Sequence, residues 1–222
     1  VEHVGGVTTG QPGVISGNSA VRLDGTSGYL TSSTPIASST AFTQSIWINT
    51  TTQVGGDLLG VSDSQTGPGT SNDRVLWMDN NGQVAWGMRT SGVTNGRPDR
   101  FPLVRSRNAL NDGRWHQVTM TYDGATMLLY VDGVSTDNGF QATNLFPVTP
   151  GPSYLRAGYT NLTAFYSVFG RDFNNLPAPT SHLFGGYVDE VAYYPSALSG
   201  AQIAAQYGAA LAQASSTPPP TT

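Results

Sequence analysis

Two stretches, RVLWMDNNGQVAWGMRT and HQVTMTYDGATMLLYVDG, alternate apolar and polar side chains on both sides of a short turn-forming insert. Successive side chains of a strand point to opposite faces, so this period of two marks a half-buried strand. Asn80, Asn81 and Gly82 in the first stretch, and Asp123 and Gly124 in the second, tolerate positive φ and close each pair of strands into a hairpin. The same pattern recurs in AVRLDG, GYLTSS, FTQSIWINT, DLLGVSD, SYLRAGYT and GYVDEVAYY. Such a chain pairs its strands antiparallel. Its 27 glycines, 14 prolines and 11% charged residues suit short strands joined by turns better than helices.

The expected fold class is therefore all-β, a two-sheet antiparallel jelly-roll β-sandwich. One short C-terminal helix follows the last strand. Ser199 and Gln202 form a capping box, and Ile203, Tyr207 and Leu211 fall on one helical face. The single domain spans residues 1–213. Residues 214–222, rich in Pro, Ser and Thr, read as a linker to neighbouring domains of the same polypeptide.

A formal charge of −4, carried against arginines scattered along a lysine-free chain, argues against a nucleic-acid partner. No apolar run approaches the roughly 18 residues of a membrane helix, so no membrane insertion is expected. The absence of cysteine removes disulfides and thiolate metal sites.

Asp189 and Glu190 stand side by side in the apolar strand GYVDEVAYY. Strict alternation groups Tyr187, Asp189, Val191 and Tyr193 on one face, with Val188, Glu190, Ala192 and Tyr194 on the other. One acid must look inward, and a buried carboxylate needs hydrogen bonds, an ion pair or a metal. Either a structural polar cluster, with backbone N–H groups or Arg22 as partners, or a cation site answers that need. Ca²⁺, a hard cation taking six to eight oxygens, is the metal that suits carboxylates and loop carbonyls.

LDGTSGYLTSS, NDGRWHQVTMTYDGATMLLYVDG and GYVDEVAYYPSALSGAQIAAQY, in that order, resemble the laminin-G-like, concanavalin A-like jelly-roll modules, above all the bacterial type found beside glycosidases, sialidases and adhesins. The resemblance covers roughly residues 14–211, with the family's usual first strand absent. It implies recognition of glycans or proteins rather than catalysis and often a bound Ca²⁺, while the Pro-, Ser- and Thr-rich linker points to a secreted or cell-surface location. It also sets the strand of Asp189 against the segment of Asp24 and Gly28, so these three residues are the expected structural metal set. Trp115 is implied to pack in the sandwich, and Trp47 is taken likewise.

Sugar rings present apolar faces on which flat aromatic side chains stack, with amides, acids and arginines bonding the hydroxyls. The candidate ligand-binding residues are Trp77, Trp86, Tyr159, Phe165, Tyr166, Phe169, Arg171, Asp172 and Asn174, most of them in the long stretch between Ala157 and Gly186. Asp57, Asp63 and Asp73 are a weaker calcium candidate. Arg97, Arg100, Arg105 and Arg107 are a weaker site for acidic sugars. No catalytic residue is assigned, because only two Glu occur and no paired-carboxylate, Ser-His-Asp or phosphate-loop pattern does.

The sequence thus reads as a non-catalytic carbohydrate-binding or adhesion module of a secreted multidomain bacterial protein, accessory to a glycoside hydrolase or similar, with a glycan or polysaccharide as partner. Two alternatives stay open: a structural spacer that buttresses a neighbouring catalytic domain, and a glycan-active hydrolase.

Overall fold

Every alternating segment found in the sequence becomes a strand. A computed structural model describes residues 1–37, 39–88, 103–136, 140–141, 152–162 and 178–214. Through the first half of the chain run β1 (Glu2–Val4), β2 (Val7–Pro12), β3 (Ser19–Asp24), β4 (Tyr29–Thr31), β5 (Phe42–Asn49), β6 (Gly56–Ser62), β7 (Asn72–Met78), β8 (Val84–Gly87) and β9 (Leu103–Arg105). The second half adds β10 (His116–Tyr122), β11 (Thr126–Val131), β12 (Val134–Ser135), β13 (Phe140–Gln141), β14 (Tyr154–Ala157), β15 (Gly185–Tyr194) and the helix α1 (Gly200–Ala214).

One sheet has seven strands in the order β1-β4-β14-β6-β7-β8-β9, and the other runs β12-β11-β10-β5-β15-β3-β2 with β13 also on β11. All the pairings are antiparallel. The two expected hairpins are β7–β8, with Gly82 at φ 82°, and β10–β11, with Gly124 at φ 99°. Where a missing first strand was expected, β1 and β2 each cap an edge, one per sheet. The helix ends one residue past the expected domain boundary, and residues 215–222 lie outside the described region.

The core between the sheets holds Leu23, Phe42, Ile46, Ile48, Leu59, Leu76, Trp86, Val118, Met120, Phe184 and Val188, all at most 1% exposed. A second buried cluster, Val75, Trp77, Ala85 and Leu162, sits on the opposite face of the seven-stranded sheet. A third, Val14, Trp47 and Ala210 with Trp115 and Tyr207 packed against it, lies on the outer face of the eight-stranded sheet. Trp47 is therefore outside the sandwich, stacked on Tyr207 of α1 with ring centroids 5.5 Å apart.

The capping box forms as expected: Gln202 Oε1 accepts the Ser199 N–H at 2.9 Å, and the Gln202 N–H donates to Ser199 Oγ at 3.3 Å. Ile203 is buried, whereas Leu211 is exposed and Ala210 takes the inward place. A side chain as small as Ala lets the helix lie close over Trp47.

Strand β15 departs from strict alternation. Its register against β5 shifts between Asp189 and Ala192, and Glu190 adopts φ +46°. A β-bulge of this kind inserts one unpaired residue and reverses the phase beyond it. Val188, Val191 and Tyr193 consequently all pack toward the core, while Asp189, Ala192 and Tyr194 face outward with Trp47 and Ser45. Asp189 thus does not share a face with Val191 and Tyr193.

Candidate functional site

Asp189 is 7% exposed although it points away from the core, because the segment before β3 folds over it. Its Oδ2 accepts the Val14 N–H at 3.0 Å and its Oδ1 the Glu190 N–H at 2.9 Å. Glu190 is exposed and takes a short hydrogen bond from Asn18. The two acids tie the 13–18 segment to the bulge.

Asp24 sits elsewhere. It faces Gly185 across the β3–β15 ladder, four residues from Asp189 along the strand, about 13 Å away. Its carboxylate accepts the N–H groups of Thr26, Ser27 and Gly28 at 2.8–2.9 Å and the hydroxyls of Thr26 and Ser27. The donors of that turn hold its carboxyl well below the usual carboxylate range, those of Ser27 and Thr26 most of all. Asp24, Gly28 and Asp189 do not form one cage, and the carboxylates of both acids are already engaged. Among the described residues no group of three or more His, Cys, Asp or Glu could hold a metal ion.

The second acid trio is also dispersed. Asp57 is fully buried, accepts the N–H and hydroxyl of Thr160 at 3.1 Å, and lies 3.8 Å from His182 Nδ1. Burial pushes its carboxyl up, and the neighbouring Asp57 carboxylate pushes the His182 imidazole up in turn. Asp63 bonds Thr70, and Asp73 pairs with Arg74 at 3.4 Å.

Two of the candidate aromatics are withdrawn from any ligand. Trp77 and Trp86 are 0% exposed, one in the outer cluster and the other in the core, edge-on to Phe42 at 6.1 Å. Tyr159 is half-buried and lies 5.5 Å from Tyr29, with the buried Arg156 guanidinium beside both rings. Phe165, Tyr166, Phe169, Arg171, Asp172 and Asn174 lie outside the described residues, as do Arg97 and Arg100. Arg105 pairs with Asp79 at 3.1 Å, and Arg107 borders a separate cleft with Asp112, His116 and Asp132.

An aromatic and polar surface does assemble, at a place the sequence did not mark. Arg22, Tyr187 and Asn49 are direct cross-strand partners on β3, β15 and β5. Directly opposed side chains on one face stand about 5 Å apart, so the three form a row across the sheet. Their neighbours Leu23, Val188 and Ile48 fill the core, which turns the row outward. Trp115, next to the start of β10, closes the row edge-on to Tyr187, with centroids 6.4 Å apart at 60°.

Arg22, Asn49 and Tyr187 floor an open cleft of about 500 Å³, edged by Thr50, Thr51, Thr52, Gly113, Gly185 and Gly186, and Trp115 stands beside it against Tyr187. Thr50 is committed to the Gly185 carbonyl at 2.6 Å. Among the described residues, the polar side-chain atoms of Arg22, Asn49, Thr51 and Tyr187 form no hydrogen bond or ion pair within the chain, which leaves them open to a ligand. Among the described residues Asp24 is the sole acid lining the cleft, and its carboxylate accepts the donors of the turn.

In solved structures the same fold recurs. Domain 4 of AbnA, a GH43 extracellular arabinanase from Geobacillus stearothermophilus solved with arabinotriose, matches at TM-score 0.56 and 17% identity, over 90% of this chain and 81% of that one. The binding domain of botulinum neurotoxin serotype G matches at TM-score 0.59 and 11% identity over 93% of this chain; this chain spans 45% of that domain's length. A SAP-like pentraxin from Limulus polyphemus matches at TM-score 0.52 and 12% identity, over 89% and 80% of the two chains. No curated protein sequence matches. At these identities the likeness establishes the fold alone. The family model of the concanavalin A-like lectin/glucanases superfamily matches residues 24–204. From β3 to the first turn of α1, then, sequence and architecture agree, and the chain belongs to the concanavalin A-like lectin/glucanase superfamily.

Proposed function

We propose that this chain is a non-catalytic glycan-binding module of a secreted or cell-surface protein, and that it holds a larger polypeptide to polysaccharide through the cleft of Tyr187. The observation that carries this reading is the row Arg22, Tyr187, Asn49 and Trp115: two aromatic rings beside a guanidinium, an amide and a hydroxyl that have no partner among the described residues. That combination offers a sugar both stacking and hydrogen bonds. The arabinanase domain solved with arabinotriose and the toxin binding domain lend support as members of the same fold with binding roles. The absence of a usable acid pair in the cleft favours binding over hydrolysis.

A screen of the folded protein against immobilised plant, fungal and bacterial polysaccharides, repeated with Tyr187→Ala, tests this. Retention of the native protein on at least one glycan and its loss in the variant are expected. Silence across the screen from folded protein would instead favour a spacer that buttresses a neighbouring domain.

A further inference from the structure

A second, smaller cavity of about 220 Å³ lies between α1 and the outer face of the eight-stranded sheet. Ser45, Trp47, Gln117, Glu190, Tyr194 and Gln206 supply its polar and aromatic lining. The β-bulge at Glu190 creates it, because the reversed phase turns Ala192 and Tyr194 outward beneath the helix. The small Ala192, Ala209 and Ala210 leave the space open.

Gln117 is 4% exposed, and its Oε1 has no hydrogen-bond partner among the described residues. A buried amide without a partner is costly, and a bound polar group would relieve it. Around it, Tyr194 Oη accepts from Gln206 Nε2 at 3.2 Å, and Ser45 shares a hydrogen bond of 2.9 Å with Thr119. Amides and hydroxyls both donate and accept, and so do the hydroxyls of a sugar. Among the described residues the lining contains no Arg, Lys or His, and Glu190 is its one charged residue. A carboxylated or sulfated ligand would meet an uncompensated like charge there. The volume falls below the roughly 300 Å³ at which drug-sized pockets begin, which fits one ring rather than a chain segment.

We infer that this cavity is a second carbohydrate subsite, taking a single neutral sugar ring through Gln117, Gln206 and Tyr194. The inference rests on the reading of the protein as a glycan-binding module and makes that module bivalent. The open cleft beside Tyr187 takes a chain segment, and the cavity under α1 takes a ring end. Two weak sites on one face give avidity for branched or densely packed glycans.

Titration of ¹⁵N-labelled protein with the methyl glycosides of glucose, galactose, mannose, xylose and arabinose, with glucuronate as the anionic control, separates the sites. At least one neutral glycoside is expected to shift the side-chain amide signals of Gln117 and Gln206, and glucuronate to leave them unmoved. Gln117→Leu, and separately Gln206→Leu on the half-buried helix face, should weaken that titration at least tenfold. Tyr187→Ala should leave it intact. A response of the Trp115 indole with no response at Gln117 and Gln206 would overturn the second subsite alone, as would shifts that persist in both Leu variants. Silence at both places would overturn the subsite and the glycan reading together.

Discussion

The Oδ2 of Asp189 accepts the backbone N–H of Val14 at 3.0 Å across 175 positions of sequence. Gly13 permits this approach, since a Cβ there would stand 2.6 Å from the same oxygen. The carboxylate fastens the segment that covers Trp47 to the bulged last strand, so its work is that of an acceptor. Asp189→Asn keeps an acceptor and should cost about 1 kcal/mol, while Asp189→Leu strands a buried N–H and should cost about 2–3 kcal/mol. Urea unfolding of both variants, in excess CaCl₂ and in EDTA, checks this. Coincident curves in the two buffers are expected; Asn as damaging as Leu, together with an EDTA effect on native protein, would instead indicate a metal ligand.

Around the cleft, side chains divide by what else they touch. Arg22 is exposed and Asn49 half-buried, and neither makes a side-chain hydrogen bond among the described residues, so replacing either by Ala should weaken glycan retention severalfold while the melting temperature moves by about 2 °C or less. Trp115 also packs against the buried cluster of Val14, Trp47 and Ala210, so Trp115→Ala should lower both affinity and melting temperature. Calorimetric melting beside affinity electrophoresis distinguishes the two patterns.

His116 stands between two carboxylates, with Nδ1 2.8 Å from Asp132 and Nε2 3.1 Å from Asp112. The hydrogen bond to Asp132 raises its pKa, against the opposing effect of burial, and Asp112 adds to the rise. Arg114, bonded to Asp112, is the nearby cation. A raised folded-state pKa stabilises fully below the unfolded value near 6.5, and that gain is lost as pH rises through the folded value. Stability should therefore increase by about 1 kcal/mol from pH 8.5 to pH 6, a figure kept small for solvent screening. His116→Gln should flatten that slope; an unchanged slope in the variant would remove His116 as its source.

Trp77 and Trp86 offer no surface to a ligand, so their loss should act through the fold alone. Trp77→Ala and Trp86→Ala should each cost about 3–5 kcal/mol. Any fraction that stays folded should bind glycan with native affinity. Selective loss of binding at unchanged stability would contradict their burial.

The sequence by itself determined the strands, because a period of two and turn residues with positive φ are local properties that act before any sheet exists. It also determined the helix start, since the Ser199–Gln202 box closes within four residues, and the family, since three ordered motifs from Leu23 to Tyr207 overlap the matched region of residues 24–204. Which face a side chain occupies was decided only by tertiary structure. Glu190 inserts one residue into β15 and reverses every orientation after it, and alternation counted along the sequence does not register such a bulge. Trp77 and Trp86 sit at positions that two-fold alternation leaves ambiguous between a ligand surface and a packed one; the layers on both sides of their sheet bury both. Arg22, Asn49, Trp115 and Tyr187 come from four strands or strand ends far apart in the chain, and only the ladder register brings them into one row. Asp24 and Asp189 lie on neighbouring strands, and which backbone donors reach each carboxylate, the turn at 26–28 for Asp24 and the distant Val14 N–H for Asp189, was set by the folded chain.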